Sequence, residues 1–400
     1  MSEVGNTGRA TRPRLLILSF SPIAGDARVL KQVRLFADLY DVTTCGFGPS
    51  PHPGVEHVEI TPTPPPSRPR SARLSGLLTE GLKTVRLYRA AYWRTPWARA
   101  ARAALRGREF DVVVSNDVDT LLVARTVAPG AKMHLDLHEY WPLEGRSRVH
   151  GRLWLQVGYY RWLCKVAGRS ASTSTVGDGI AEQYEKRFGY RPVVVPNVPP
   201  YHDLAPQPAH RPIRLVHSGA VGRSRGLDKL ILAATQTSTD VTLDLYLTHN
   251  LPDYLAELKE MAAQAGDRVT IHDPVPQPEL VGVLAASDVG VYIIEPQTIN
   301  SAWAMPNKIF DFIQARLGVV VGPSPGMREV VRSAGVGAVA EGFDTADLVR
   351  ALDELTPETV ERWKQAADGA AHAFSAEAVQ HVWAEAVARI AAPAAEGAVS

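Results

Sequence analysis

Cysteine is nearly absent. Cys45 and Cys164 are the only two among 400 residues, too few for a disulfide framework, and neither has further His or Cys beside it at metal-ligand spacing. Both read as small buried hydrophobes in a reducing compartment. Long apolar runs are absent too. The run Leu15–Leu16–Ile17–Leu18–Ser19–Phe20 is too short for the core of a secretion signal, and no stretch reaches the roughly 20 apolar residues of a membrane helix. A cytoplasmic protein is the expectation. Net charge is missing as well: 43 Lys and Arg against 42 Asp and Glu leave no global field to recruit nucleic acid, so any charge-driven partner must meet a local patch.

What is present is an ordinary globular composition, 45% hydrophobic and 21% charged, in a chain longer than one hydrophobic core usually organises. Short β-rich runs alternate with helical patterns: Leu15–Phe20 before Asp26–Leu39, then Val42–Gly46, and Val112–Ser115 before Thr120–Val127. The alternation restarts with Arg214–His217 before Leu227–Thr235, Leu243–Leu247 before Pro252–Gln264, Val289–Ile293, and Val319–Gly322 before Gly326–Ser333. Such βαβ repetition builds parallel sheets, and two Rossmann-like halves follow. Residues 1–197 form the first domain and the proline-bearing stretch 198–212 a hinge. Residues 213–375 form the second domain, and 376–400 a last helix, which packs back on the first domain, with its tail.

One local patch stands out. After the proline-rich segment Thr61–Arg70, eleven Lys and Arg face the single acid Glu80 between Arg68 and Arg108. Leu78, Leu82, Val85 and Tyr92 fall near one helical face, with Trp93 and Trp97 nearby. Two readings stay open: a solvated helix covering the first sheet, or contact of the basic 68–108 region with an anionic membrane surface or acceptor.

The chemistry concentrates in the second half. His217–Ser218–Gly219–Ala220–Val221–Gly222–Arg223–Ser224–Arg225–Gly226–Leu227 reads strand, glycine-rich turn, helix. Gly219 and Gly222 let backbone approach a phosphate, and Arg223 and Arg225 add fixed positive charge, so a diphosphate suits this loop. A second loop ends in Met305–Pro306–Asn307–Lys308–Ile309–Phe310–Asp311. Pro306 starts a helix at Asn307, aiming its first N–H groups and the Lys308 ammonium at an anion, while Asp311 one turn on accepts ribose hydroxyls.

These residues, with Asp267–Arg268–Val269 and Ala286–Ser287–Asp288–Val289, resemble the donor lobe of family 4 retaining glycosyltransferases in its Pro-Asn-Lys variant. In the first half, Gly25–Asp26–Ala27–Arg28–Val29, Asp136–Leu137–His138–Glu139 and Val195–Pro196–Asn197 resemble the acceptor loop, central histidine and domain junction. The resemblance implies an α/β GT-B fold, two Rossmann-like domains facing across a cleft. It places Asn300, Ser301, Trp303 and Met305 around the donor sugar, and Asp26, Arg28 and Glu139 on the acceptor side. His138, Arg225 and Lys308 are implied to be catalytic. Two positions depart from the family: Trp303 stands where the first of its paired glutamates falls, and Ala220 where a basic residue follows the first glycine. Asp117 and Asp119 border a strand end but stay outside the catalytic set.

The implied reaction is metal-independent, retaining transfer of a hexosyl or related group from a nucleotide-diphosphate sugar, with no cofactor beyond that donor. The acceptor is open: a saccharide, a glycolipid or a small metabolite. A nucleotide-sugar epimerase and a non-catalytic nucleotide-sugar-binding subunit are the alternatives. Localisation is cytoplasmic, or peripheral at the inner membrane face if the basic region binds lipid.

Overall fold

The computed structural model describes residues 12–61, 70–144 and 153–391. Arg68, most of the Thr61–Arg70 segment and the tail beyond 391 lie outside them. The chain divides into two compact units. The first comprises Met1–Thr175, Ala181–Val195 and Gln380–Ser400, and the second Val176–Ile180 and Pro196–Val379.

The first unit is built on seven parallel strands: β1 (Arg14–Pro22), β2 (Asp41–Phe47), β3 (Glu56–Glu59), β4 (Val112–Asn116), β5 (Lys132–Asp136), β6 (Ser172–Thr175) and β7 (Val193–Val194). They lie in the order β3-β2-β1-β4-β5-β6-β7. The central strands β1 and β4 carry continuous apolar runs because helices cover both faces of such a sheet. Leu15, Leu16, Ile17 and Leu18 are wholly buried, and Val112, Val113 and Val114 nearly so.

The second unit has six parallel strands: β8 (Ile213–Gly219), β9 (Val241–Leu247), β10 (Val269–His272), β11 (Val289–Tyr292), β12 (Gly318–Val321) and β13 (Gly337–Val339). Their order is β10-β9-β8-β11-β12-β13. β9 alternates, with Val241, Leu243, Leu245 and Leu247 turned into the core. In β11 a side chain is excluded at Gly290: a Cβ there would come within 2.2 Å of the Phe312 ring. The helix Asn307–Gln314 therefore lies close on the sheet. In both sheets the strand order reverses once, between β1 and β4 and between β8 and β11. The carboxyl ends of such a strand pair open a crevice that the loops line, the habitual ligand position of open α/β sheets.

A buried charge cluster fastens the amino end of β11. Asp288 accepts hydrogen bonds from the Arg214 backbone N–H at 2.9 Å and from Lys364 Nζ at 2.8 Å, and His210 Nδ1 lies 3.0 Å away. Lys364 also donates to the Ser287 carbonyl at 3.0 Å, and both charged side chains are almost fully buried. Burial alone raises an acid, but the Arg214 N–H, Lys364 and His210 outweigh it and hold Asp288 below its ordinary value. Removing one partner strands a buried charge, so Asp288→Ala should destabilise the second unit by about 3–5 kcal/mol. The exposed Lys186–Glu182 pair is the control, and Lys186→Ala should cost less than about 1 kcal/mol. Equal denaturant midpoints for the two variants would show that the cluster does not fasten the sheet.

Candidate functional site

In the second unit, two loops leave the sheet at its reversal point. β8 ends at Gly219 with φ +152°, and after a turn at Arg223–Arg225, Gly226 caps the helix Leu227–Gln236 with φ +62°. Both angles favour a residue without Cβ. Asn250 clamps the loop: its Oδ1 accepts from the Val221 N–H at 3.0 Å and its Nδ2 donates to the Val221 carbonyl at 2.8 Å. Arg225 is half-buried and reaches the Tyr292 hydroxyl at 3.4 Å. Arg223 does not join it. Its guanidinium is exposed, lies over the Tyr254 ring and pairs with Glu257 at 2.5 Å.

The other loop ends in the helix Asn307–Gln314, which starts behind Pro306 as the proline signal implies. Asn307 is exposed, and Lys308 Nζ sits 3.3 Å from Asp311 Oδ2. Asp311 is only 1% exposed, so it is an interior acid holding Lys308 rather than a solvent-facing one. The loops meet at Gly219, whose missing Cβ would stand 3.7 Å from Lys308 Cε and 3.8 Å from His217 Nε2. Gly219, Arg225, Lys308, His217 and Tyr292 thus come together. His217 and Tyr292 escaped the sequence reading because nothing local distinguishes a buried strand residue from a site residue.

The residues implied around the donor sugar are placed as follows. Thr298 and Ser301 form a reciprocal cap on the helix Ile299–Trp303, with Ser301 Oγ accepting from the Gln297 and Thr298 N–H groups at 2.9 and 2.8 Å. Asn300 and Met305 are half-buried. The Trp303 ring covers Gly179 in the segment Val176–Ile180, which packs with the second unit.

In the first unit, His138 stands two residues beyond β5 in a left-handed conformation, φ +54°. Its Nε2 lies 3.2 Å from Asn116 Oδ1 and 3.4 Å from Asp136 Oδ2, and its Nδ1 lies 3.5 Å from Asp117 Oδ1. Burial opposes its charge, but the carboxylates of Asp117 and Asp136 prevail and lift it to about 9. Asp117, also left-handed at φ +65°, is pushed up to about 6 by burial, with His138 restraining the rise. His138 is therefore an imidazolium at neutral pH, a donor and a cation rather than a base.

Arg28 and Asp26, implied on the acceptor side, make structural contacts. Arg28 points inward: Nε and Nη2 reach the two Asp136 oxygens at 2.8 and 2.9 Å, and Nη1 reaches the Val195 carbonyl at 2.7 Å. Asp26 caps the helix Ala27–Ala37 by accepting from the N–H groups of Arg28 and Val29. Glu139 is exposed. Among the described residues, no group of three or more His, Cys, Asp or Glu gathers to hold a metal ion.

The His138 cluster carries a pH signature. A histidine raised from 6.5 to about 9 stabilises the fold fully below about pH 6.5, and that contribution is lost as pH rises through 9. We expect NMR titration to find His138 well above its ordinary value, and Asp117→Asn to lower it and move the alkaline loss of stability to lower pH. A His138 titrating at 6.5 or below in both proteins would refute the cluster.

Residues 37–198 match the family model for Glycosyltransferase Family 4, and residues 212–357 match that for Glycosyl transferases group 1. No curated protein matches the chain by sequence. Among solved structures, a glycosyltransferase from Rickettsia africae aligns with a TM-score of 0.65 at 12% identity, covering 96% of this chain and all of its own. HepE of Anabaena in complex with UDP-glucose gives 0.62 at 16%, covering 94% and 100%. The α,α-trehalose 6-phosphate synthase of Burkholderia multivorans gives 0.64 at 11%, covering 95% and 99%. At such identities the likeness is one of fold, and each unit carries its own glycosyltransferase match. The chain belongs to the GT-B glycosyltransferases, akin to family 4.

Proposed function

We propose that the chain transfers a sugar from a nucleotide-diphosphate donor to an acceptor hydroxyl, with retention at the anomeric carbon and without a metal. The observation that carries this reading is the meeting of the Gly219 turn, Arg225 and Lys308 at the carboxyl ends of β8 and β11. HepE, a neighbour of the same fold, was solved with UDP-glucose, which supports a nucleotide sugar as the ligand class. The anomeric carbon–phosphate oxygen bond breaks as the bond to the acceptor oxygen forms on the same face, and the departing phosphate oxygen takes the acceptor proton. Arg225, Lys308 and the first N–H groups of the helix Asn307–Gln314 offset the growing diphosphate charge, the part a metal would otherwise play. Asp311 receives the ribose hydroxyls once Lys308 turns to phosphate. His138 contributes a cation to the transfer step, not to nucleotide binding.

Incubation with a panel of nucleotide sugars and simple acceptors is the test. Free nucleoside diphosphate plus glycoside supports transfer, an epimerised donor supports an isomerase, and binding without turnover a non-catalytic subunit. Arg225→Ala and Lys308→Ala should each lower nucleoside-diphosphate affinity at least about tenfold, since a charge-assisted hydrogen bond contributes about 1.5–3 kcal/mol. His138→Ala should keep that affinity and lose most of its turnover. Unchanged diphosphate affinity in both cation variants would remove the donor site from this position.

We further propose that the basic 68–108 region contacts an anionic membrane surface. Of the apolar stripe, Tyr92 is buried and Leu82 half-buried, but Leu77 and Leu78 on the helix Arg70–Thr84 and Val85 and Leu87 in the turn after it are each more than half exposed, and Trp97 is exposed as well. Arg86, Arg89 and Arg99 are exposed among them, a composition suited to anionic headgroups. Among the described residues no helix is long and apolar enough to cross a membrane. Sedimentation with phosphatidylglycerol vesicles should pull down the protein, phosphatidylcholine vesicles should not, and Leu78→Glu with Val85→Glu should abolish the effect. Equal recovery with both lipids would contradict an anionic contact.

A further inference from the structure

His217 is buried at the carboxyl end of β8, with 1% of its surface exposed. Its ring is stacked on Tyr292, with centroids 5.6 Å apart and planes within 11°. Nδ1 lies 2.9 Å from the Val291 carbonyl. A carbonyl only accepts, so Nδ1 carries the proton, and a neutral ring leaves a lone pair on Nε2. Burial first, then the nearby charges of Arg225 and Lys308, push the ring down to about 4, so it is neutral at physiological pH. Among the described residues Nε2 has no hydrogen-bond partner.

A lone pair cannot face a phosphate oxygen, which is an acceptor too, so the group that satisfies Nε2 must bring a proton. Lys308 supplies a mobile donor nearby. A Cβ at Gly219 would meet Lys308 Cε at 3.7 Å and His217 Nε2 at 3.8 Å, so both side chains border the same point. At rest the Lys308 ammonium is with Asp311 at 3.3 Å. An ammonium has three donors, enough for a diphosphate oxygen and a ring nitrogen together.

We propose that His217 is a positioning residue: when a diphosphate binds, Lys308 leaves Asp311 and its ammonium is held between the phosphate and His217 Nε2. The proposal rests on the donor-site reading above. It gives His217 no contact with the ligand and releases the Asp311 carboxylate for the ribose.

The test is a double-mutant cycle on the full-length protein, read by calorimetry with pyrophosphate, which needs no choice of base, and with UDP. His217→Phe keeps a ring to stack on Tyr292 but has no acceptor, and His217→Gln offers an amide oxygen in its place. His217→Phe and Lys308→Ala should each weaken pyrophosphate binding about tenfold, and the double variant no further than either alone. His217→Gln should recover most of the loss. Nitrogen NMR of the unsubstituted protein should show the His217 Nε2 signal shift on adding pyrophosphate, and Lys308→Ala should abolish that shift; this readout stands even if His217→Phe fails to fold. Losses that multiply to about a hundredfold, full affinity in His217→Phe, or an unmoved Nε2 signal would overturn the role of His217 and leave the donor site standing. An unsubstituted protein that binds neither probe would sink the donor site itself, and this inference with it.

Discussion

A buried ion pair between Arg28 and Asp136 organises the first unit. Asp136 is wholly buried and takes the Arg28 fork, Gln32 Nε2 at 2.8 Å and Ser174 Oγ at 2.8 Å; despite burial, the charges of Arg28 and His138 hold it well below the ordinary carboxylate range. Arg28 also anchors the Val195 carbonyl and lies over the Trp383 ring at 4.6 Å, and the Trp383 indole N–H donates to Ser174 Oγ. Five separate stretches of chain therefore converge on one charge pair. A pair this deep is a poor source of net stability, but losing one partner would strand the other. Its chief consequence is local: Asp117 and, with it, the fixed negative charge of Asp136 3.4 Å away keep the His138 imidazole charged.

The second unit places its chemistry by a different constraint. Parallel strands send every loop that follows a strand to the same end of the sheet, and reversal of strand order between β8 and β11 leaves the loops beyond them room to part. Backbone geometry then selects which side chains arrive. Gly219 and Gly226 let the first loop turn tightly, and Gly290 lets the helix Asn307–Gln314 lie on the sheet. The cations Arg225 and Lys308 reach the end of the sheet from two elements more than eighty residues apart in the chain. The Asp288–Lys364–His210 cluster holds the opposite end of the same strand, away from that chemistry.

Most strands and helices were legible because their signals are local. Apolar runs marked β1, β4, β8 and β12, and Pro306 marked the helix start at Asn307. Short strands such as β3 and β7 were not, since four residues of Glu56–Glu59 or two of Val193–Val194 carry no periodicity. In the candidate site, the motif named Arg225, Lys308 and Asp311, while the pairing of Arg223 with Glu257, thirty-four residues distant, was not legible. The inward pairing of Arg28 was not legible for the same reason, its partner Asp136 lying 108 residues along the chain. Asn250 and His217 act through contacts that no spacing rule encodes. Between the two readings the sequence left open for the basic region, the stripe divides: Tyr92 is buried, Leu82 half-buried, and Leu78 and Val85 exposed.

The central claim is that a nucleotide-diphosphate sugar is bound by the two strand-end loops of the second unit. Amide hydrogen exchange with and without a saturating nucleotide sugar tests it most directly, because it needs neither an acceptor nor a substitution. The account predicts added protection confined chiefly to Gly219–Leu227 and Asn307–Asp311, the stretches whose N–H groups face the phosphates. Protection that appears elsewhere while these two stretches exchange as before would contradict it.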